Sequence, residues 1–343
     1  MENFIIVLIG IVFGLLISYA GLNKYDTIVG MSVLKDFTVA KTIMLVLGVG
    51  SVFLMLEMMG GDAVFHVKPF YLIGTTLGGV IFGIGMSILG YCPGTLPISL
   101  GQGSLDAFWG MLGAFAGGII YTALYPVALP LLGQDFGRET LFTLMGGSFS
   151  PAYITVVVVI SAAMIFGAFW LHSLDVRNGI PSKRWILTGV GLALLNVVLF
   201  YRYWQNRPLG ASSFYPYAGD SFTYFTDNGY FASVTASGNW QLWFLLGALI
   251  AGFIYALATK SFKPQLIQSR WIHYRGTSKP RRILWAFIGG VILILGARIA
   301  DGCTSGHIIS GGMQFAVSSY LFAIFTFVGF LGTGYFFYTH HIK

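Results

Sequence analysis

Cysteine occurs only twice in the 343 residues, at Cys92 and Cys303, and each cysteine interrupts an apolar run. The first motif reads GYCPGT over residues 90–95, and the second reads RIADGCTSGH over residues 298–307. A buried thiol stays protonated, and it is a soft, weak hydrogen-bond donor that suits an anion containing sulfur. Each cysteine could instead be a small apolar side chain in a tight helix contact. We expect no metal site and no cofactor, because two cysteines cannot supply a zinc cluster of several thiolates.

The residues around each cysteine are of types that break a helix. Pro93 donates no backbone hydrogen bond and Gly94 bends freely, while Gly302 and Gly306 flank the second cysteine. A half-helix that begins after each break directs unpaired N–H groups and its positive dipole end toward the break. This chemistry favours a small anion over a cation. Hydroxyl groups add further donors at Thr95, Thr304 and Ser305.

Ionisable residues lie beside the second cysteine. Arg298 and Asp301 are spaced i, i+3 and can share a helix face. A charge inside a membrane is costly and usually functional or paired. Arg298 therefore either gives positive potential to an anion path or is neutralised by Asp301. His307 is a hydrogen-bond donor to the anion, a proton-sensitive gate or a structural hydrogen-bonding residue. We include Arg298 and His307 among the candidate pathway residues.

The elements that position these motifs are those of a membrane protein. The chain is 56% hydrophobic and 9% charged, whereas soluble domains carry about 25% charged residues. The net charge of +7 fits basic loops of a membrane protein and does not indicate nucleic-acid binding. We predict an all-α polytopic membrane protein. Its nine transmembrane helices should span residues 3–20, 37–59, 70–90, 107–132, 152–174, 185–203, 240–259, 283–300 and 316–338.

Loop charges predict the orientation in the bilayer. The connection 260–282 contains seven Lys and Arg residues and should be cytoplasmic. By counting helices, connections 21–36 and 175–184 lie on the same side, and 204–239 lies outside. The connection 204–239 is rich in aromatic residues, so it is either a cap over one mouth or an interfacial aromatic belt.

The two cysteine motifs belong to an internal repeat. Residues 78–101 align with residues 289–312 without a gap, with ten of 24 positions identical and Cys92 on Cys303. Five predicted crossings separate the two copies, so they enter the bilayer from opposite faces. Inverted repeats with interrupted helices place a transporter site near the membrane midplane. We therefore predict one transmembrane domain over residues 1–343, with one repeat over about 1–132, connecting helices over 152–203 and a second repeat over 240–338.

These motifs, with NKYDTIVGMSVLKDFTVAK at residues 23–41, resemble the YeeE/YedE sulphur-transport family over most of the chain. The resemblance implies a multi-pass protein of the bacterial inner membrane that takes up thiosulfate. It also implies that Cys92 and Cys303 relay the anion and that a cytoplasmic TusA-like sulfur carrier is a partner. Thiosulfate-uptake members carry a further cysteine after the first helix, and residues 18–26 have none here.

The residues alone are compatible with four functions. The first is a permease for a small sulfur-containing anion, with thiosulfate as the expected substrate. The second is transport of a related sulfur or selenium species. The third is a membrane thiol or persulfide-transfer protein, and the fourth is a pore for neutral solutes. We expect transport rather than enzymatic activity, because the sequence has no nucleotide-binding loop and no hydrolytic triad.

Overall fold

A computed structural model describes residues 2–339, and this part of the chain is almost entirely helical, with no β-strand beyond isolated bridge pairs. The helices are α1 (Glu2–Ala20), α2 (Tyr25–Ser32), α3 (Thr38–Gly60), α4 (Leu72–Leu89), α5 (Leu96–Gly101), α6 (Leu105–Leu131), α7 (Leu141–Leu144), α8 (Pro151–Arg177), α9 (Arg184–Phe200), α10 (Phe214–Thr223), α11 (Gly229–Ala258), α12 (Ser269–Arg275), α13 (Lys279–Ile299), the π-helix π1 (Thr304–Gly311), α14 (Val317–Thr333) and the π-helix π2 (Gly334–Thr339).

The predicted class of an all-α polytopic membrane protein is confirmed. Within residues 2–339, eight helices are long and apolar enough to cross a bilayer, with α14 and π2 counted as one. The remaining predicted span is the shorter apolar helix α9. These nine segments correspond in order to the nine predicted spans.

The predicted start of the seventh span, at residue 240, is wrong. Helix α11 begins at Gly229, where the side chain of Asn228 accepts a hydrogen bond from Phe231 N. The first turns of α11 are polar on one side, so the hydropathy pattern does not predict them as part of the membrane span. On the other side, Tyr230 and Val234 are buried against Tyr121. Packing on α6 therefore extends the helix well beyond its apolar stretch.

Close glycine contacts join α4 and α13 in an antiparallel pair. A Cβ added to Gly78 would lie 2.6 Å from Ala300 N, and one added to Gly289 would lie 2.9 Å from Leu89 N. In the repeat alignment Gly78 corresponds to Gly289 and Leu89 to Ala300, so the first contact is the repeat image of the second. When a two-fold axis relates two antiparallel helices, equivalent residues of the two helices make equivalent contacts. An inverted repeat requires such an axis. A further image pair is Gly85 against Leu293 and Gly296 against Phe82.

Helices α6 and α14 make equivalent contacts as well. Gly117 lies against Val291 O, and Gly329 lies against Val80 O. Val80 and Val291 occupy equivalent positions of the repeat, so α13 contacts α6 as α4 contacts α14. These contacts cover the core of the repeat only. The wider division at residues 1–132, 152–203 and 240–338 stays a prediction.

Two buried ion pairs fasten the surrounding helices. Arg282 Nη2 of α13 lies 2.6 Å from Asp106 Oδ2 of α6, and Lys41 of α3 pairs with Asp175 of α8. All four side chains are fully buried. Removing one partner of such a pair leaves an uncompensated buried charge, so loss of either partner should be strongly destabilising.

Candidate functional site

Both cysteines lie where a helix is interrupted, as predicted. Cys92 follows α4 and precedes α5, and Cys303 follows α13 and precedes π1. The chain turns away at equivalent positions of the repeat, because Gly90 has a φ of 78° and Asp301 has a φ of 54°. This left-handed region favours glycine and, among other residues, Asn and Asp. The two breaks therefore share one backbone geometry despite different residue types.

An inner cavity of about 80 Å³ is lined by both cysteines. Among residues 2–339 no charged side chain lines it, and its walls are mostly apolar. The apolar walls come from α1, α2, α3 and α14 as well as from the two breaks. Polar lining is restricted to the two thiols and the hydroxyls of Thr42, Thr95, Thr304, Ser305 and Thr326.

A second cavity of about 360 Å³, which we call the outer vestibule, opens on the face of connection 204–239. Cys303 lines this vestibule as well as the inner cavity, so this residue lies between the two spaces. Asp301 is the one carboxylate among the described lining residues. The cationic lining residues outnumber it and are Lys68, Arg138, Arg207 and Arg298.

Hydrogen-bond donors surround each sulfur. Cys303 Sγ lies 3.3 Å from Ser305 Oγ, and the backbone N–H groups of Gly306 and Ala211 face it. The backbone N–H groups of Gly94 and Thr95 face the sulfur of Cys92. Each break thus presents N–H groups next to a thiol, which is the arrangement expected from the sequence.

The segment 208–213, within connection 204–239, reaches into the protein and completes this site. Ala211 lies beside Cys303 and also close to the Cα of Gly94, 3.4 Å from where a Cβ would stand. Tyr215 of α10 donates a hydrogen bond of 2.6 Å to Pro93 O. Sequence analysis placed the whole connection at a mouth or an interface. The small residues of PLGASS were the available signal for close approach.

Arg298 is buried, and neutral groups receive its hydrogen bonds. Its guanidinium donates to Ser212 Oγ at 2.9 Å, to Ser213 Oγ at 3.2 Å and to Tyr230 OH at 3.4 Å. The Nε of Arg298 has no partner among protein atoms of residues 2–339. Among residues 2–339 Arg298 makes no direct ion pair, although Asp301 lies near enough to attract its charge, and its guanidinium lines the vestibule wall. This arrangement supports the functional alternative for Arg298.

The ten residues predicted for the pathway fall into three groups. The inner cavity is lined by Cys92, Gly94, Thr95, Cys303, Thr304 and Ser305, and the outer vestibule by Arg298, Gly302, Cys303 and Gly306. His307 lines neither cavity. Its ring bonds Ala300 O through Nε2 at 2.7 Å and Ser319 Oγ through Nδ1 at 3.1 Å. Protein groups thus bond both ring nitrogens, which favours the structural alternative for His307.

Sequence analysis missed the remaining vestibule cations. Lys68, Arg138 and Arg207 lie in connections far apart in the sequence, so no local pattern places them together. The Arg207 guanidinium lies 4.1 Å from the centre of the Trp240 ring. Burial lowers the pKa of Arg207 to about 10, so it remains charged at neutral pH.

A polar cavity of about 650 Å³, the inner vestibule, opens on the opposite face. The turn between α1 and α2 separates it from the inner cavity, since Leu22 lines the cavity and Asn23 lines the vestibule. Ser99 donates a hydrogen bond of 2.6 Å to Asn23 O. Its repeat equivalent, Ser310, donates to Leu209 O at 3.2 Å. Equivalent serines thus hold one turn on each side of the cysteines.

Cavities on both faces, a small neutral cavity between them and two broken helices from antiparallel repeats define a polytopic membrane transport protein. The chain belongs to the family described as "Sulphur transport", which matches residues 26–331. It is similar to the thiosulfate transporter TsuA of Spirochaeta thermophila, with 24% identity over 339 residues. The similarity covers 94% of this chain and 95% of that protein.

Proposed function

We propose that this protein is a permease that carries thiosulfate across the bacterial inner membrane into the cytoplasm. One observation carries the proposal: Cys303 lines both the cationic outer vestibule and the neutral inner cavity that contains Cys92. The thiols therefore follow one another along a single route. The substrate is supported by the similarity to a thiosulfate transporter and by the sulfur chemistry of the route.

The route begins with electrostatic attraction. The cationic side chains of the outer vestibule raise the local concentration of a divalent anion. Arg298 then holds the anion next to Cys303 with its unpartnered Nε. In the inner cavity, neutral thiols and backbone N–H groups replace part of the hydration shell. The small energy differences between these neutral sites allow the anion to move on to Cys92.

The final step passes the turn between α1 and α2. Leu22 is the residue of this turn that faces the inner cavity, and it separates the cavity from the inner vestibule. Movement of this turn releases the anion to the inner vestibule. A cytoplasmic TusA-like sulfur carrier that consumes the sulfur at this face would keep uptake directed inward.

Uptake by cells tests the proposal. A bacterial strain that lacks other thiosulfate importers is complemented with the wild-type gene or with variants Cys92→Ala and Cys303→Ala. The wild type should restore uptake of labelled thiosulfate, and both variants should lose most of it. Ser51→Ala, which also changes a buried residue but lines no cavity described above, is the control. Unchanged uptake by correctly inserted cysteine variants would rule out the thiol route.

Two free thiols in one cavity also favour a second candidate, a persulfide-transfer protein. In that reaction a cysteine thiolate attacks the outer sulfur of thiosulfate, and sulfite leaves with the electron pair of the broken S–S bond. The protein then carries a persulfide and gains the mass of one sulfur atom. Intact-mass measurement after incubation with thiosulfate separates the two functions, because transport leaves the mass unchanged.

A further inference from the structure

Two hydroxyl groups in the inner cavity have no hydrogen-bond partner among protein atoms of residues 2–339. They belong to Thr304, at the start of π1, and to Thr326, in the middle of α14. Thr326 is only 2% exposed, and the Oγ1 atoms of both residues are buried. An unpaired buried hydroxyl is unfavourable, because the group loses its hydrogen bonds to water.

The other hydroxyls of the cavity are already paired. Thr42 donates to Thr38 O at 2.6 Å, Thr95 donates to Cys92 O at 3.2 Å, and Ser305 lies 3.3 Å from Cys303 Sγ. A helical threonine commonly bonds the carbonyl four residues earlier, as Thr42 does. Thr326 makes no such bond. Its hydroxyl therefore has no protein partner among residues 2–339, although Thr326 lines the cavity.

We propose that Thr326, together with Thr304, binds the oxygen end of the transported anion, and this proposal rests on the proposed function. Thiosulfate has one soft sulfur end and one end with three hard oxygen atoms. Neutral hydroxyls donate to the oxygen atoms, while the thiols and apolar walls suit the outer sulfur. The cavity has no described charged lining residue, so these donors are the strongest ones that its side chains offer.

The two hydroxyls have no equivalents in the first copy of the inverted repeat. Thr304 aligns with Pro93, and Thr326 corresponds to Ala114 by the glycine contacts that relate α14 to α6. Neither equivalent residue has a side-chain donor. The second repeat alone therefore supplies hydroxyls for the oxygen end, and the bound anion is held in one orientation between unlike walls.

Concentration-dependent thiosulfate uptake in proteoliposomes tests the role of Thr326. Thr326→Val removes the hydroxyl at nearly constant volume and should raise the half-saturating concentration at least about tenfold. Thr326→Ser keeps the hydroxyl and should stay within about twofold of wild type. Thr333→Val is the control on the same helix, since Thr333 lines a different surface groove. A Thr304→Val, Thr326→Val double variant should show non-additive losses if both groups bind one anion.

The two proposals fail separately. If Thr326→Val is folded and its half-saturating concentration equals that of wild type, while Cys303→Ala has lost uptake, the threonine role is wrong and the permease stands. An equal loss in Thr326→Val and Thr326→Ser would also overturn it, because packing rather than the hydroxyl would then be the cause. If wild-type protein transports no thiosulfate, both proposals are wrong.

Discussion

Asp301 pairs with Lys68, whose Nζ lies 3.3 Å from Asp301 Oδ2, and not with Arg298 three residues earlier. Asp301 directly follows α13 and has a left-handed backbone with a φ of 54°. Both members of the Asp301–Lys68 pair are partly exposed, so the pair itself contributes little stability. Its consequence is electrostatic, because Arg298 is left to act on an anion in the outer vestibule.

Removing the carboxylate of Asp301 should strengthen anion capture. Asp301→Asn keeps a residue that tolerates the positive φ and deletes the negative charge of the vestibule. We expect the half-saturating thiosulfate concentration to fall about two- to fivefold at low ionic strength, and less in high salt. Kinetics of uptake at two salt concentrations measure this, with Asp135→Asn outside the vestibule as the control. A raised half-saturating concentration would contradict the electrostatic role.

Arg298 should be required for uptake at low substrate concentration. Arg298→Gln retains hydrogen-bonding atoms but removes the charge, and uptake should fall at least about tenfold. Arg298→Lys should recover part of it, because a lysine keeps the charge without the planar donor set. Arg202→Gln changes an exposed arginine of the same face and is the control. Equal uptake by Arg298→Gln and wild type would show that this residue is structural.

The close glycine contacts of the repeat predict that replacing a contact glycine by alanine lowers the stability of the protein. A Cβ at Gly290 would overlap with Gly110 O, a backbone atom of α6 that cannot move independently. Gly290→Ala should therefore cost about 1–3 kcal/mol or prevent insertion altogether. Gly332→Ala is the matched control, since nothing lies within 4 Å of its added Cβ. Thermal unfolding in detergent compares the two, and equal melting temperatures would be inconsistent with this packing.

Stability should also depend on pH through Asp220, on α10 outside the membrane-spanning helices. Burial raises the pKa of the Asp220 carboxyl to about 6, although Thr122 donates a hydrogen bond to it. A raised pKa means that folding favours the protonated acid, so stability falls as pH rises through about 6. Asp220→Asn should therefore raise the melting temperature at pH about 7.5 by a few degrees and change it little at pH about 4. An Asp220→Asn melting temperature below that of wild type at pH about 7.5 would contradict this sign.

The sequence was sufficient to predict the number and order of the apolar helices, the two helix breaks and the core of the repeat, because each is encoded locally. Hydropathy marks a membrane helix, and Gly, Pro and Cys mark the breaks at residues 90–95 and 301–306. Insertion of residues 208–213 beside Cys303 depends on helices that are distant in sequence, so the small residues of this segment permit the close approach but do not predict it. The pairing of Asp301 with Lys68 likewise joins residues 233 positions apart in the sequence, so no local pattern predicts it.

The orphan hydroxyl of Thr326 shows a different limit of sequence analysis. Threonine in an apolar helix usually bonds its own backbone, so its presence in FTFVGF gave no functional signal. Only the missing bond and the position in the cavity distinguish it. His307 is the opposite case, because its residue type suggested chemistry and its two ring nitrogens are both used by the protein.

Protection of a single thiol by substrate tests most directly whether the anion occupies the cavity of the two cysteines. The chain has only two cysteines, so Cys92→Ala leaves Cys303 as the one labelling site. A small thiol reagent applied from outside should label Cys303 slowly, and saturating thiosulfate should reduce the rate about tenfold or more, whereas equal sulfate should not. A labelling rate of Cys303 that thiosulfate leaves unchanged would contradict the account.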